Sequence, residues 1–300
     1  MKLLALGTVA LDTVKTPSGK RCDILGGSAT HFALAARFFC DVNLVSVIGE
    51  DFPSKHLDFL RKKGVDVSSI RRQPGASFRW SGEYRGDLNA AITLKTILGV
   101  LSEFSPRINP GQRKISNVFL ANVDPDIQLR LLETIKSPRL VALDTMNYWI
   151  DTKRQSLFKI LKKSDIFLAN DAEARAISGE RYLINAAKSL KRLGPEIVLI
   201  KKGEHGVIAY FDNTIFSLPA YPVDNLVDPT GAGDSFAGGF IGYLAKAKKI
   251  NKNTLKKAIC YGTIIASFNV EGFGVERTSR LTLKEVNQRV RNFKKLMHFK

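Results

Sequence analysis

The sequence predicts an α/β fold, a doubly wound and mainly parallel sheet with helices on both faces, accompanied by a small antiparallel β lid. Three observations predict it. Short apolar runs of strand length alternate with amphipathic stretches, the βαβ rhythm that builds a parallel sheet. Polar residues or glycines follow those runs directly, as a ligand rim at the carboxyl ends of strands would require. Two segments carry hairpin signals instead and fall outside the rhythm.

The strand-length runs are Leu3 to Leu6, Asn43 to Ile48, Val118 to Ala121, Leu140 to Asp144, Ile166 to Ala169 and Ile197 to Lys201. Helical patterns lie between them: Ala29 to Phe39, Ser54 to Lys63 closed by Gly64, Pro125 to Ile135, and Thr152 to Leu161. Asp12, Gly49, Asn122, Asp144, Asn170 and Gly203 all come just after strands and are expected on one rim. The lid is expected from segments at about 12–25 and 77–96. The first contains Ser18-Gly19; the second alternates through Phe78, Trp80 and Tyr84, and Ala90 to Leu94 pairs back after a Gly86-Asp87 turn. Trp80 suits either core packing between lid and body or an exposed interface. No repeat or long linker divides the 300 residues, so residues 1–300 are expected to form a single domain with the lid inserted.

Composition narrows the function classes. A chain that is 44% hydrophobic buries a large core. No apolar run approaches the roughly 18 residues of a membrane helix, and no signal-peptide pattern is present, so a cytoplasmic protein without membrane partners is expected. Cys22, Cys40 and Cys260 lack metal-ligand spacing and read as free thiols, and the four histidines are equally scattered. The net charge of +18 invites a nucleic-acid reading. The densest basic groups, Lys246 to Lys257 and Lys284 to Lys300, nevertheless sit at helix ends or on the outer faces of amphipathic helices, which makes nucleic acid an unlikely partner. The same positive field favours ATP and anionic substrates.

The chemistry is concentrated in Val227-Asp228-Pro229-Thr230-Gly231-Ala232-Gly233-Asp234, which runs into an apolar helix. Gly231 and Gly233 let backbone approach a ligand closely, and the free N–H groups of the helix start face an anion such as phosphate. A carboxylate among phosphate-holding amides repels the phosphate unless it has another task, and Asp234 is suited to taking a proton from an attacking hydroxyl. Capping alone would explain neither glycine.

This segment resembles the C-terminal motif of the PfkB, or ribokinase-like, family of sugar and nucleoside kinases, and similar matches recur along the chain. Gly26-Gly27-Ser28-Ala29-Thr30-His31 resembles the family's N-terminal Gly-Gly motif, Gly49-Glu50-Asp51 a stretch joining two strands, Asn170-Asp171-Ala172-Glu173 its Asn-x-x-Glu element, and Lys202 to Gly206 its nucleotide-binding turn. The resemblance implies an ATP-dependent carbohydrate kinase with Mg2+, and a further site for K+. Asp234 would be the base, and Gly231, Ala232 and Gly233 the backbone anion hole. Asp12, Gly26, Gly27 and His31 would hold the acceptor. Asn170 and Glu173 would act at magnesium and phosphate, with Glu173 reaching the ion through water, although Asn-x-x-Glu also reads as a helix capping box. Lys201, Gly203, Gly206, Gly262 and Gly274 would border the nucleotide; ordinary helix packing explains Gly262 as well. Asp228 and Thr230 match positions linked to a monovalent cation, and the lid is a dimer contact in several members.

Three departures stand out. Lys201 occupies a place where many members have threonine, Pro229 another, and His31 replaces the usual asparagine. Histidine there either tunes the acceptor or packs without touching it. The expected activity is phosphoryl transfer to a hydroxyl of a small sugar or sugar derivative. A nucleoside acceptor is the alternative, favoured if Phe32, Phe78, Trp80 or Tyr148 stacks a base; a non-catalytic sugar or nucleic-acid binder is a third reading.

Overall fold

Residues 1–86 and 88–298 are described by a computed structural model; Asp87 of the expected lid turn, with Phe299 and Lys300, lies outside them. Strand β1 (Lys2–Leu6) shows how the core is divided. Leu3 and Ala5 enter one hydrophobic cluster while Leu4 and Leu6 enter another, because successive side chains of a strand leave opposite faces. Central strands buried on both faces are therefore nearly continuous apolar runs.

Nine strands form the main sheet in the order β13-β12-β11-β10-β9-β8-β1-β4-β5. From β4 (Asp41–Gly49) and β5 (Asp66–Gln73), through β1, β8 (Asn117–Leu120), β9 (Leu140–Asp144) and β10 (Ile166–Asn170), to β11 (Ile197–Lys201), every pair is parallel. Strands β12 (Val207–Phe211) and β13 (Thr214–Leu218) add an antiparallel hairpin at the edge. Its two-residue loop, Asp212-Asn213, has positive φ at both positions, the geometry that a tight hairpin favours.

One face is covered by α1 (Ser28–Ala36), α8 (Ala232–Lys246), α9 (Lys252–Asn269) and α11 (Leu283–Leu296), with the short α10 (Glu276–Arg280) packed against α1 and α9. The other carries α3 (Pro125–Leu132), α5 (Arg154–Leu161), α6 (Asp171–Ser178) and α7 (Leu183–Arg192). The expected Thr152–Leu161 helix is α5, which begins at Arg154, and a separate short helix, α4 (Asn147–Thr152), precedes it with Lys153 between them. Helix α2 (Ser54–Lys62) stops before Gly64, whose φ of 79° suits glycine.

A second sheet has the order β3-β2-β6-β7, from β2 (Ala10–Thr16), β3 (Gly19–Gly26), β6 (Arg79–Tyr84) and β7 (Ala91–Ile97). Its outer pairs are antiparallel, as expected, but β2 and β6 run parallel, because they come from two separate hairpins laid side by side. Trp80 lies over Gly82, where a Cβ would fall 2.2 Å from its ring, and donates its Nε1–H to Thr93.

The chain leaves β1 in one direction toward β4 and β5, then returns to β8 on its other side. That reversal opens a crevice at the strands' carboxyl ends, where doubly wound sheets bind ligands. The start of α1 is fitted into it: Ser28 Oγ accepts from Thr8 N at 3.2 Å and donates to Asn122 O at 3.3 Å.

Candidate active site

Helix α8 begins at Gly231, whose φ of 74° and ψ of 5° place it in the left-handed region. This turn aims the helix start into the crevice. The N–H of Ala232 turns back to Pro229 O at 3.1 Å, so Ala232 does not offer the anion-hole donor expected of it. The N–H groups of Gly231, Gly233 and Asp234 have no hydrogen-bond partner among the described residues. Those unpaired donors, together with the dipole of a long helix, suit a bound anion.

Asp234 stands in the first turn of α8. Burial in the cleft raises its pKa to about 7; Asp144 adds to the rise and Lys201 opposes it. A carboxylate with that pKa is poised as a base near neutral pH. Asp12 shares this condition: burial raises it to about 7 against the Gly27 hydrogen bond, with Asp228 and Asp234 adding to the rise. Its Oδ2 accepts Gly27 N at 3.2 Å, and a Cβ on Gly26 would fall 1.9 Å from the same oxygen. Gly26 and Gly27 thus make the bed on which the Asp12 carboxylate lies, which a turn-forming role would not require.

Asp228 is fully buried, with Oδ1 accepting Thr230 N and Oδ2 accepting Gly274 N, both at 2.9 Å. It ties the anion loop to the segment after α9. Gly274, expected near the nucleotide, instead closes this tie, and its φ of 51° explains the glycine. Gly262 is likewise a packing residue: a Cβ there would meet Phe236 O at 2.7 Å across the α8–α9 interface.

His31 is 1% exposed, and its imidazole lies against Gly231. Its Nδ1 is 3.1 Å from Asn269 Oδ1, which also accepts from Ser235 Oγ, while Asn269 Nδ2 donates to Thr230 O at 2.7 Å. An amide oxygen only accepts, so Nδ1 carries the proton. Burial holds the His31 pKa below its ordinary value, against Asp228 and the Asn269 bond, leaving a neutral ring. Asn269 thus belongs to a network under the anion loop.

Asn170 and Glu173 form a reciprocal capping box on α6, through Asn170 N to Glu173 Oε2 at 2.7 Å and Glu173 N to Asn170 Oδ1 at 2.8 Å. Glu173 is buried, which pushes its pKa up, opposed by Lys201. Its Oε1 has no hydrogen bond among the described residues, so the box leaves one oxygen for a hydrated cation. Among those residues no group of three or more histidine, cysteine, aspartate or glutamate side chains makes a metal cage. That donor set fits an ion carried mainly by phosphates and water.

Lys201 pairs with Asp144, Nζ to Oδ2 at 2.8 Å. Burial pulls the ammonium's pKa down, but Asp144, Glu173 and Asp234 more than reverse this. Gly203 and Gly206 shape the next turn with φ of 56° and 83°. The lid tip reaches this turn, where Asn89 Nδ2 donates to Glu204 Oε1 at 3.0 Å. Tyr84, at the end of β6, is buried and accepts a 3.3 Å hydrogen bond from Thr230 Oγ1. Burial raises its pKa; the Thr230 bond opposes the rise, and Asp228, Asp12 and Asp234 add to it.

Sequence reasoning placed Asp144 on the rim and Tyr84 in the lid but gave neither a role in the site. Both end strands that point at the rim, and that position was their signal. Of the four aromatic residues considered for a base, Phe32 is fully buried and stacked on Phe119 at 4.1 Å, whereas Tyr148 is 50% exposed.

The family of pfkB carbohydrate kinases matches this chain over residues 10–280. The chain belongs to the PfkB family. A cytidine kinase of Thermococcus kodakarensis is 30% identical to this PfkB kinase over 258 residues, which are 84% of this chain and 91% of that protein. Among solved structures, the nucleoside kinase of Methanocaldococcus jannaschii, a member of the ribokinase family, superposes with a TM-score of 0.79 at 21% identity, covering 97% of this chain and 98% of that one. A putative ribokinase II of E. coli in complex with ATP and Mg2+ superposes at 0.74 and 18% identity, covering 97% and 99%. These likenesses establish the ribokinase fold for the PfkB chain. Among the described residues no helix is long and apolar enough to cross a membrane.

Proposed function

We propose that this PfkB kinase transfers the γ-phosphoryl group of ATP to a sugar hydroxyl, and that a nucleoside is the preferred acceptor over the free small sugar expected from sequence. The observation that carries the transfer is the placement of Asp234, a carboxylate of raised pKa, beside the unpaired N–H groups of Gly231 and Gly233 at the start of α8. Asp234 takes the hydroxyl proton, and those N–H groups receive the charge of the phosphoryl in flight. Asp12 accepts hydrogen bonds from the acceptor's hydroxyls over the Gly26–Gly27 bed. Bound Mg2+ would neutralise phosphate charge, with Glu173 Oε1 as its protein-side anchor through water. A K+ ion near Asp228 and Thr230 would share the Asp228 oxygens that already accept the backbone N–H groups of Thr230 and Gly274.

The nucleoside reading is supported by the cytidine kinase that is 30% identical to this chain over 258 residues. The open face of Tyr148 agrees with it. Exposed Ile92 and Leu94 on β7 support a lid-to-lid contact between two copies.

The test is ADP release over a panel of nucleosides, pentoses, hexoses and sugar acids, with Asp234→Asn as the control. A nucleoside should give the highest kcat/KM, and Asp234→Asn should lower kcat about a hundredfold or more. A free sugar at the head of the ranking would return the chain to the sugar kinases. No turnover with any acceptor would defeat the kinase reading.

A further inference from the structure

Asp144 ends β9 and Lys201 ends β11, so their ion pair spans the carboxyl end of the intervening β10. The Asp144 side chain is 5% exposed, and both its oxygens are occupied. Oδ2 takes the ammonium at 2.8 Å and Oδ1 accepts Thr145 N at 2.8 Å. That second bond fixes the carboxylate plane, so the carboxylate is a rigid holder for the long lysine chain. The ammonium it holds lies next to the anion loop: a Cβ on Gly233 would fall 3.2 Å from Lys201 Nζ. The missing side chain of Gly233 leaves space for this cation beside the residue's own unpaired N–H.

A buried ion pair is a weak source of stability, since apolar residues of similar size often replace one without loss. The placement of this pair suits another task. Charge that develops on a transferred phosphoryl is stabilised best by a cation already fixed in position, which costs no reorganisation during the reaction. An unpaired lysine in this place would be free to fold onto Glu173 or Asp234, the other carboxylates around it.

We infer that Asp144 is a positioning residue for phosphoryl transfer: it holds the Lys201 ammonium beside Gly233, where that charge meets the transferred group. The inference rests on the kinase reading. Lys201 keeps its proton throughout, while the proton from the acceptor hydroxyl goes to Asp234 and ADP leaves with the electron pair of the broken P–O bond.

The test compares Asp144→Asn, Lys201→Met and the double variant with wild type, by kcat, by the KM of the acceptor, and by thermal melting. Each single variant should lower kcat about ten- to a hundredfold, with the acceptor KM within about twofold of wild type. The double variant should be no slower than the slower single one, because two residues acting as a unit are lost only once. Losses that multiply, a fall confined to the acceptor KM, or a folded Asp144→Asn with wild-type kcat would overturn the inference. If Asp144→Asn fails to fold because it strands a buried ammonium, the double variant decides: reduced kcat upholds the inference and wild-type kcat ends it. Wild-type protein inactive with every acceptor would instead remove the kinase reading beneath it.

Discussion

The His31 imidazole is packed against the backbone of Gly231, so close that a Cβ at Gly231 would fall 2.3 Å from the ring's Cγ and Nδ1. Gly231 is also left-handed, with φ of 74°. Two independent constraints therefore demand glycine at the start of α8. Gly231→Ala should destabilise the fold by roughly 2 to 5 kcal/mol, the sum of a left-handed alanine and an overpacked core site. It should also lower kcat by about tenfold or more, because the anion cradle must move to make room. Thermal melting and steady-state kinetics on the purified variant check both, and an alanine enzyme with wild-type Tm would contradict the observed packing.

From the same contact follows a role for His31 different from the one expected of a residue in the Gly-Gly motif. Its Nδ1–H holds Asn269, which holds the carbonyl of Thr230. Losing one buried hydrogen bond costs about 1 to 3 kcal/mol. His31→Ala should therefore lower kcat roughly five- to a hundredfold through the anion loop, with the acceptor KM little changed. A rise in acceptor KM at constant kcat would put His31 in contact with the acceptor after all.

Much of this was legible in the sequence because it depends on short range. The apolar run of β1, buried on both faces, the stop of α2 at Gly64 and the Asn170–Glu173 box follow from neighbours within a few residues. The β12–β13 hairpin went unread although Asp212-Asn213 signals it, because both flanking runs are short and one is half polar. What could not be read depends on distant packing. Asn269 meets His31 across 238 residues only because α1, α8 and α9 pack together. Asp144 and Lys201 were both visible at strand ends, yet their pairing depends on the sheet order that sets β9 and β11 on either side of β10. Ala232 failed as an anion-hole donor for a local reason: the left-handed Gly231 folds its N–H back onto Pro229.

Two carboxylates of the acceptor side, Asp234 and Asp12, have pKa values raised to about 7, chiefly by burial. The base must be deprotonated, and so must Asp12 if both its oxygens are to accept hydroxyl protons. A raised pKa means that the proton stays on until pH passes about 7, so activity is lost as pH falls through that value. At saturating ATP and magnesium, kcat/KM for the acceptor reports the free-enzyme values. It should decline below about pH 7 with a log slope steeper than 1, because two protons bind. An acid limb near pH 4 with unit slope would show that neither carboxylate is desolvated.

Tyr84 ties the lid to the chemistry. Its phenol oxygen, carried at the end of β6, accepts from Thr230 Oγ1 at 3.3 Å, one residue before the left-handed Gly231. The ring is buried, so Tyr84→Phe removes the hydroxyl and leaves the packing nearly intact. Thr230 Oγ1 then loses its acceptor in the cleft, at a cost of about 1 kcal/mol. Tm should fall only slightly, while kcat/KM for the acceptor should fall about fivefold, because the lid no longer fixes the loop that receives the phosphoryl group. The KM for ATP should stay near wild type, since Tyr84 reaches the cleft from the lid sheet and not from the Lys202–Gly206 turn. Equal losses in both substrates would mean that Tyr84 acts on the whole fold, and unchanged kinetics would mean that the lid and the anion loop work independently.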